Sequence, residues 1–246
     1  MIDQIDPMGV TYFAELLHQS DPSQDLHLML WSPGGDGETA VRLARMAQDS
    51  CRELLVLVPD IAKSAATILS LGAHRIVMGP TSDLGPIDPQ VSLAGRGYVG
   101  AKDLIAAVDK ALDDVAARPD TFPLHAAMLA GIDQTQVQFA RSALARTDEL
   151  AKQALSSQPD RTDADVQTLF ATVSGELITT PNTHGAVVGA VEAARAGLPV
   201  TPLSSSEDWW LEIWNLWTRY FAIAPPFMLR VYESAVASQV HVQQPN

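Results

Sequence analysis

The 246-residue chain lacks the residue patterns of several protein classes. Its one cysteine, Cys51, excludes an intrachain disulfide, and its six histidines show no metal-ligand spacing, so we expect no metal centre. Lysine and arginine number 16 against 29 acidic residues, which leaves a net charge of −13. Because such a chain repels phosphate backbones and anionic headgroups, we expect no nucleic-acid partner. No apolar run reaches the roughly 20 residues that span a bilayer, so we expect no stable membrane insertion.

The N-terminal segment MIDQIDPMGV lacks the basic flank and apolar core of a signal peptide, so we expect a cytoplasmic protein. Hydrophobic residues make up 47% of the chain and charged residues 18%, a globular profile. Neither a repeat nor a linker interrupts it, so we predict one domain over residues 1–246. Within it, residues 204–235 are predicted to form a Trp-rich C-terminal helical segment. Its apolar stripe at helical spacing indicates packing on the domain or on a neighbouring subunit rather than on a membrane.

The first eighty residues alternate between predicted strands and helices. Strands are indicated at 25–31, 53–58 and 75–78, and helices at 38–49 and 64–72. This order is typical of parallel crossover units, so the predicted fold class is α/β with a mostly parallel sheet. Further along the chain the pattern predicts a hairpin and then several helices. These lie at 90–98 for the hairpin and at 102–117, 133–156 and 163–173 for the helices.

Two turns follow predicted strands and open predicted helices. The first, SPGGDG, contains Gly34 and Gly35, whose N–H groups can stabilise negative charge on a closely approaching ligand. The second, KSAAT, places Ser64 where its hydroxyl can act as a nucleophile, with the Ala65 N–H as a further donor. The plain alternatives are a connecting turn and an N-cap serine. Because parallel strands end at one sheet edge, the two turns together indicate an acyl-transfer site.

Two segments carry a resemblance to a known family. SPGGDGETAVRLARM and VPDIAKSAATILSLGAHRIVMGPTSDLGPIDPQ closely resemble the serine dehydrogenase proteinases, which have the Clp protease fold and are related to signal peptide peptidase A. The resemblance extends to THGAVVGAVEAARAGLPV and DWWLEIWNLW. It implies a Clp protease/crotonase-like spiral of ββα units, a homo-oligomer and an ATP-independent serine endopeptidase without a cofactor. By position it makes Ser64 the nucleophile and assigns the oxyanion hole to Gly35, with Gly34, and to the Ala65 N–H.

The resemblance leaves the general base open. In the Clp proteolytic subunit a histidine lies in the loop after the serine helix, but here that loop reads GPTSDLGPIDPQV and has none. Relatives of the signal peptide peptidase type use a lysine, which acts as a base only if its pKa is lowered towards neutrality. Lys102 matches the place of that lysine in membrane-associated archaeal relatives. His184, before the helix GAVEAARAGL, is a second candidate for the base, and Lys63 beside Ser64 is a third.

Two other functions are compatible with the same residues. A catalytically silent Clp-fold scaffold that binds peptides or partner subunits is favoured by the missing loop histidine. A crotonase-like acyl-CoA enzyme would share the oxyanion architecture, but the chain offers no basic cluster for the phosphates of coenzyme A. The chain also starts later than typical relatives, which often have a further strand before the first helix.

Overall fold

The computed structural model describes residues 1–18, 20–93, 97–180, 185–223, 225 and 229–242. Its α-helices are α1 (Gly9–Leu17), α2 (Gly37–Gln48), α3 (Ala65–Leu71), α4 (Ala101–Ala117), α5 (Phe122–Met128), α6 (Gln134–Leu155), α7 (Asp163–Val173), α8 (Ala190–Arg195) and α9 (Asp208–Ile223). Its strands are β1 (Leu26–Met29), β2 (Leu54–Val58), β3 (Ile61–Ala62), β4 (Arg75–Met78), β5 (Asp83–Leu84), β6 (Gln90–Leu93), β7 (Gly97–Gly100), β8 (Val200–Pro202), β9 (Leu229–Glu233) and β10 (Ser238–Val242).

The chain divides into two compact units. The first unit comprises Met1–Ile87 and Leu150–Asn246, and the second comprises Asp88–Glu149. The single domain over residues 1–246 therefore stays a prediction. The fold class, in contrast, is established by the strand pairing within the first unit.

The main sheet of the first unit is parallel, as predicted. Its strand order is β1-β2-β4-β8, and each neighbouring pair runs in the same direction. Parallel neighbours need a crossover, which α2 provides between β1 and β2 and α3 provides between β2 and β4. Every residue of β2 is buried, which explains why its sequence LLVLV is apolar throughout rather than alternating.

Short strands form a second layer after the main ones. β3 pairs in parallel with β5, and isolated bridges join Ser32 to Ala62 and Leu84 to Val188. A main strand is thus followed by a short strand of the second layer and then by a helix, as in β2, β3 and α3. This confirms the predicted ββα units of the Clp-like fold, and it places both candidate turns where the chain passes from the second layer into a helix.

Helix α9 covers one face of the main sheet with its aromatic side chains. Trp210 and Ile213 pack in a buried cluster with Leu55, Leu57 and Val77. A Cβ on Gly79 would overlap the Trp210 ring, so the ring lies directly on the backbone after β4. The tryptophan stripe is therefore a packing surface within the first unit. None of the helices in the described residues is long and apolar enough to cross a membrane.

The predicted helical segment over 204–235 needs a correction. Its helix ends at Ile223, and residues 229–233 form β9, which pairs antiparallel with β10. Ile2 bridges β9 at Val231, so the strand is stabilised by pairing with a segment more than two hundred positions away. The helical pattern of α9 was extended through LRVYE, which has no strict alternation that would mark it as a strand.

In the second unit, the hairpin of β6 and β7 confirms the one predicted at 90–98, although its turn lies outside the described residues. Helix α4 ends at Ala117, before Pro119, as predicted. The short helix α5 that follows was not predicted, because its prolines were interpreted as breaks only. Proline also fits the first turn of a helix, which is where the chain uses it. The core of this unit contains Val91, Leu93, Ala101, Leu104 and Ala140.

Candidate active site

The first turn, from Ser32 to Asp36, follows β1 and begins α2. Gly34 and Gly35 have φ angles of 112° and 138°, which side chains strongly disfavour. The Gly34 N–H donates to the Ser32 hydroxyl at 3.1 Å. Asp36 then caps α2 by accepting the Thr39 N–H at 2.7 Å. The two glycines are therefore fixed between a local serine turn and a capped helix.

The backbone of Ile5 binds this turn through two hydrogen bonds. Its N–H donates to the Gly34 carbonyl at 2.8 Å, and its carbonyl accepts the Asp36 N–H at 2.8 Å. A Cβ on Gly35 would overlap the Ile5 carbonyl oxygen, so only glycine fits between them. Within the described part of the chain, the Gly35 N–H has no acceptor, whereas that of Gly34 is already donated to Ser32. Of the two predicted oxyanion donors, Gly35 is thus the one available to a ligand.

Ser64 stands in a strained backbone conformation between β3 and α3. Its φ of 52° and ψ of −112° make it the one non-glycine residue of the described ranges with a positive φ. Such a conformation costs about 1–3 kcal/mol and persists only where the surroundings impose it. Ser64 occupies the N-cap position, but its side chain makes no capping hydrogen bond. The N-cap alternative therefore does not explain why this serine is there.

The two turns meet at Ser64. A Cβ on Gly34 would lie 2.8 Å from the Ser64 Cβ and 3.4 Å from its hydroxyl oxygen. The Gly34 backbone therefore stands beside the serine with no side chain between them. The Ala65 N–H, the first of α3, has no acceptor among the described residues. The structure thus brings Ser64, both glycines and Ala65 together, as the sheet-edge argument predicted.

Helix α3 provides a rigid support for the serine. All its residues are buried, and the Thr67 hydroxyl lies 2.8 Å from the Ala62 carbonyl and 2.9 Å from the Gly85 carbonyl. Thr67 thereby connects the turn before Ser64 to the loop after β5. The sequence prediction missed this residue, and it also missed the role of Ser32. A threonine in the first turn of the helix and a serine two residues before a glycine are the local signals for such contacts.

The side chain of Lys63 binds other groups than the serine hydroxyl. Its ammonium lies 2.5 Å from an Asp83 carboxylate oxygen, and both side chains are largely buried, at 19% and 12% exposure. The ammonium also donates to the Ala186 carbonyl at 3.2 Å. These contacts agree with the expectation that the Lys63 side chain points elsewhere, and they make it a poor base for Ser64.

The described residues do not test the other two base candidates. Lys102 is the second residue of α4 in the second unit and is half-buried. His184 lies outside the described residues. Both therefore stay predictions. Across the described ranges, the His, Cys, Asp and Glu side chains form no group of three or more that could hold a metal ion.

Comparison with known proteins points to one family. Residues 17–123 match the family model described as ClpP-like SDH-type serine proteinase, a range that includes both turns and Lys102. An uncharacterized protein of Methanocaldococcus jannaschii is 32% identical over 85 residues, which cover 35% of this chain and 28% of that relative. A second uncharacterized protein of the same organism is 27% identical over 66 residues, covering 27% and 23%. The chain thus matches about a quarter of the length of these curated relatives.

The solved structures similar to this chain include two of the 1510-N membrane-bound stomatin-specific protease. A lysine-to-alanine mutant in complex with a substrate peptide has 13% sequence identity and a TM-score of 0.36, over 87% of this chain and 93% of that one. A serine-to-alanine mutant has 16% identity and a TM-score of 0.37, over 83% and 94%. TM-scores this low do not establish a role for the chain.

Proposed function

From the match of residues 17–123 to the family model of ClpP-like SDH-type serine proteinases, we propose that the chain is a serine peptidase with Ser64 as its nucleophile. The observation that carries the proposal is the state of Ser64. Its backbone is strained, its side chain makes no capping bond, and its hydroxyl has no hydrogen-bond partner among the described residues. A serine that served only packing or capping would gain nothing from this conformation.

In the proposed reaction, Ser64 Oγ attacks the carbonyl carbon of a peptide bond while its proton passes to a base. The carbonyl oxygen takes the negative charge and accepts hydrogen bonds from the Gly35 and Ala65 N–H groups. The C–N bond then breaks, and the base returns the proton to the leaving amine. Water hydrolyses the resulting acyl-enzyme by the same sequence of steps and restores the serine hydroxyl. No step in this scheme requires ATP.

The base in this proposal is Lys102 or His184. Replacing a general base lowers the rate by roughly 10²- to 10⁴-fold, so Lys102→Met and His184→Gln should differ sharply. We expect one of the two variants to lose this factor in rate. The other variant should keep the wild-type pH profile.

We further propose a peptide or protein substrate, endopeptidase cleavage, a homo-oligomeric state and a cytoplasmic location. The family match supports the first of these, because the matching family is described as serine proteinases. Peptide digestion with mass spectrometry tests the cleavage type. Sedimentation at several concentrations and cell fractionation test the oligomeric state and the location.

Labelling with a fluorophosphonate tests the central claim, since this reagent phosphonylates an activated serine. Wild-type protein should be labelled at Ser64, as located by peptide mass spectrometry, and Ser64→Ala should not be labelled. Ser70→Ala is a matched control, because Ser70 lies on the same helix but donates to the Ala66 carbonyl at 2.8 Å. The Ser70→Ala variant should be labelled at the wild-type rate. Absence of wild-type labelling at every protein concentration would contradict the proposal.

A catalytically silent Clp-fold scaffold is the second candidate function. It is favoured by one observation, namely that Lys63, the lysine next to Ser64, is bound to the Asp83 carboxylate and the Ala186 carbonyl rather than to the Ser64 hydroxyl. This alternative predicts that wild type is not labelled and that Ser64→Ala binds peptides as wild type does. Peptide binding measured alongside labelling therefore separates the two functions.

A further inference from the structure

Lys63, the residue directly before the proposed nucleophile, forms an ion pair with Asp83. The two charged groups are 2.5 Å apart and mostly shielded from water. Desolvating two charges is expensive, so a buried pair of this kind contributes little net stability and more often fixes one arrangement of the chain. The question is therefore which segments this pair holds together.

Both members of the pair hold the segment 186–188. Lys63 Nζ donates to the Ala186 carbonyl at 3.2 Å, and the other Asp83 carboxylate oxygen accepts the Val188 N–H at 2.9 Å. Leu84, next to Asp83, exchanges two backbone hydrogen bonds with Val188, at 2.9 and 3.0 Å. The segment is thus tied from the lysine side and from the aspartate side, and it continues along the chain from the base candidate His184.

The path of the Lys63 side chain is fixed by Gly85. A Cβ on Gly85 would lie 2.8 Å from the Lys63 Cβ and 2.9 Å from its Cγ, so the stem lies flat on the glycine backbone. The Gly85 carbonyl is in turn 2.9 Å from the hydroxyl of Thr67 on the serine helix. A side chain confined in this way has little freedom to turn its ammonium towards Ser64.

The main chain of Lys63 is tied to the first turn. Its N–H donates to the Ser32 carbonyl at 3.0 Å, and its carbonyl accepts the Ala66 N–H at 2.9 Å. One residue therefore joins the glycine turn, the serine helix and the segment 186–188. Its backbone serves the first two, and its ammonium serves the third.

From these contacts we propose that Lys63 is a positioning residue of the peptidase site. Paired with Asp83, it holds the segment 186–188 against the turn that carries Ser64. Its ammonium is directed to the Asp83 carboxylate and the Ala186 carbonyl. This role rests on the proposed peptidase function, and it differs from the base role that the position of Lys63 beside Ser64 suggests.

The test combines Lys63→Met, which keeps an unbranched stem but removes the charge, with Asp83→Asn and the double variant. We expect fluorophosphonate labelling and peptide kcat to fall about 10- to 100-fold in each single variant, since a displacement of about 1 Å has effects of this size. The double variant should recover part of the loss, because neither charge is then left unpaired. KM should change less than kcat, and the midpoint of the pH–rate profile should stay in place.

Lys110→Met is the matched control, because it also removes a lysine from an ion pair with an aspartate, at 3.1 Å to Asp114, but Lys110 is exposed on helix α4. It should behave as wild type. Amide hydrogen exchange provides a readout that needs no activity. The Val188 N–H should lose protection in Lys63→Met and Asp83→Asn at temperatures where both remain folded.

The outcomes separate the two proposals. Wild-type labelling rate or wild-type protection of Val188 in Lys63→Met overturns the positioning role. Loss of the pH-dependent limb in Lys63→Met also overturns it, because Lys63 would then be the base. If wild type itself is not labelled, the peptidase proposal fails, and hydrogen exchange alone then shows whether the pair holds the segment.

Discussion

Replacing Gly35 by alanine should disable the oxyanion hole. The added Cβ overlaps the Ile5 carbonyl oxygen, which is backbone and cannot turn aside. The turn must therefore shift, taking the Gly35 N–H with it. Loss of one oxyanion donor lowers rates by about 10²- to 10³-fold, so we expect fluorophosphonate labelling of Ser64 to slow by that factor.

The same change should also lower the free energy of unfolding. Shifting the turn breaks or weakens the two 2.8 Å hydrogen bonds of Ile5, and each of them contributes about 1 kcal/mol to the free energy of unfolding. Alanine at a φ of 138° adds about 1–2 kcal/mol of strain, so the total is roughly 3–4 kcal/mol by urea denaturation. Gly175→Ala is the control, because a Cβ there meets no atom within 4 Å. A Gly35→Ala variant that is labelled at the wild-type rate would refute the donor role.

Two more predictions concern the stability of the first unit. Thr67→Val removes the hydroxyl that faces the Gly85 carbonyl, so unfolding should become easier by about 1–3 kcal/mol in urea denaturation, and unchanged stability would contradict the contact. Burial raises the pKa of Asp3 from 3.8 to about 6, against the nearby Arg230. Because the raised pKa favours the protonated native form, the Asp3 contribution to stability should be fullest below about pH 4 and fall by up to about 3 kcal/mol as pH rises through 6. Asp3→Asn should abolish this decline.

The sequence was a good guide wherever structure is local. The main strands and their crossover helices follow from apolar runs and turn residues, and the predicted strand 75–78 matches β4 residue for residue. Contacts between distant positions had no such signal. Ile5 bridges Gly35, which is thirty positions away, and Ile2 bridges Val231 of β9. Local periodicity reports which face of an element is buried, but it does not identify the partner that covers it.

The strain at Ser64 separates structural from chemical explanations of the residue. Glycine adopts a φ of 52° freely, so Ser64→Gly should relieve about 1–3 kcal/mol of strain, while a more flexible unfolded chain takes back about 0.4–1 kcal/mol. With the middle of each range, we expect Ser64→Gly to be more stable than Ser64→Ala by roughly 1 kcal/mol in paired denaturation experiments, although neither variant is labelled. Equal stability of the two would mean that the backbone there is relaxed. A stability gain together with loss of labelling shows that the serine is kept for its hydroxyl, since glycine would serve the fold better.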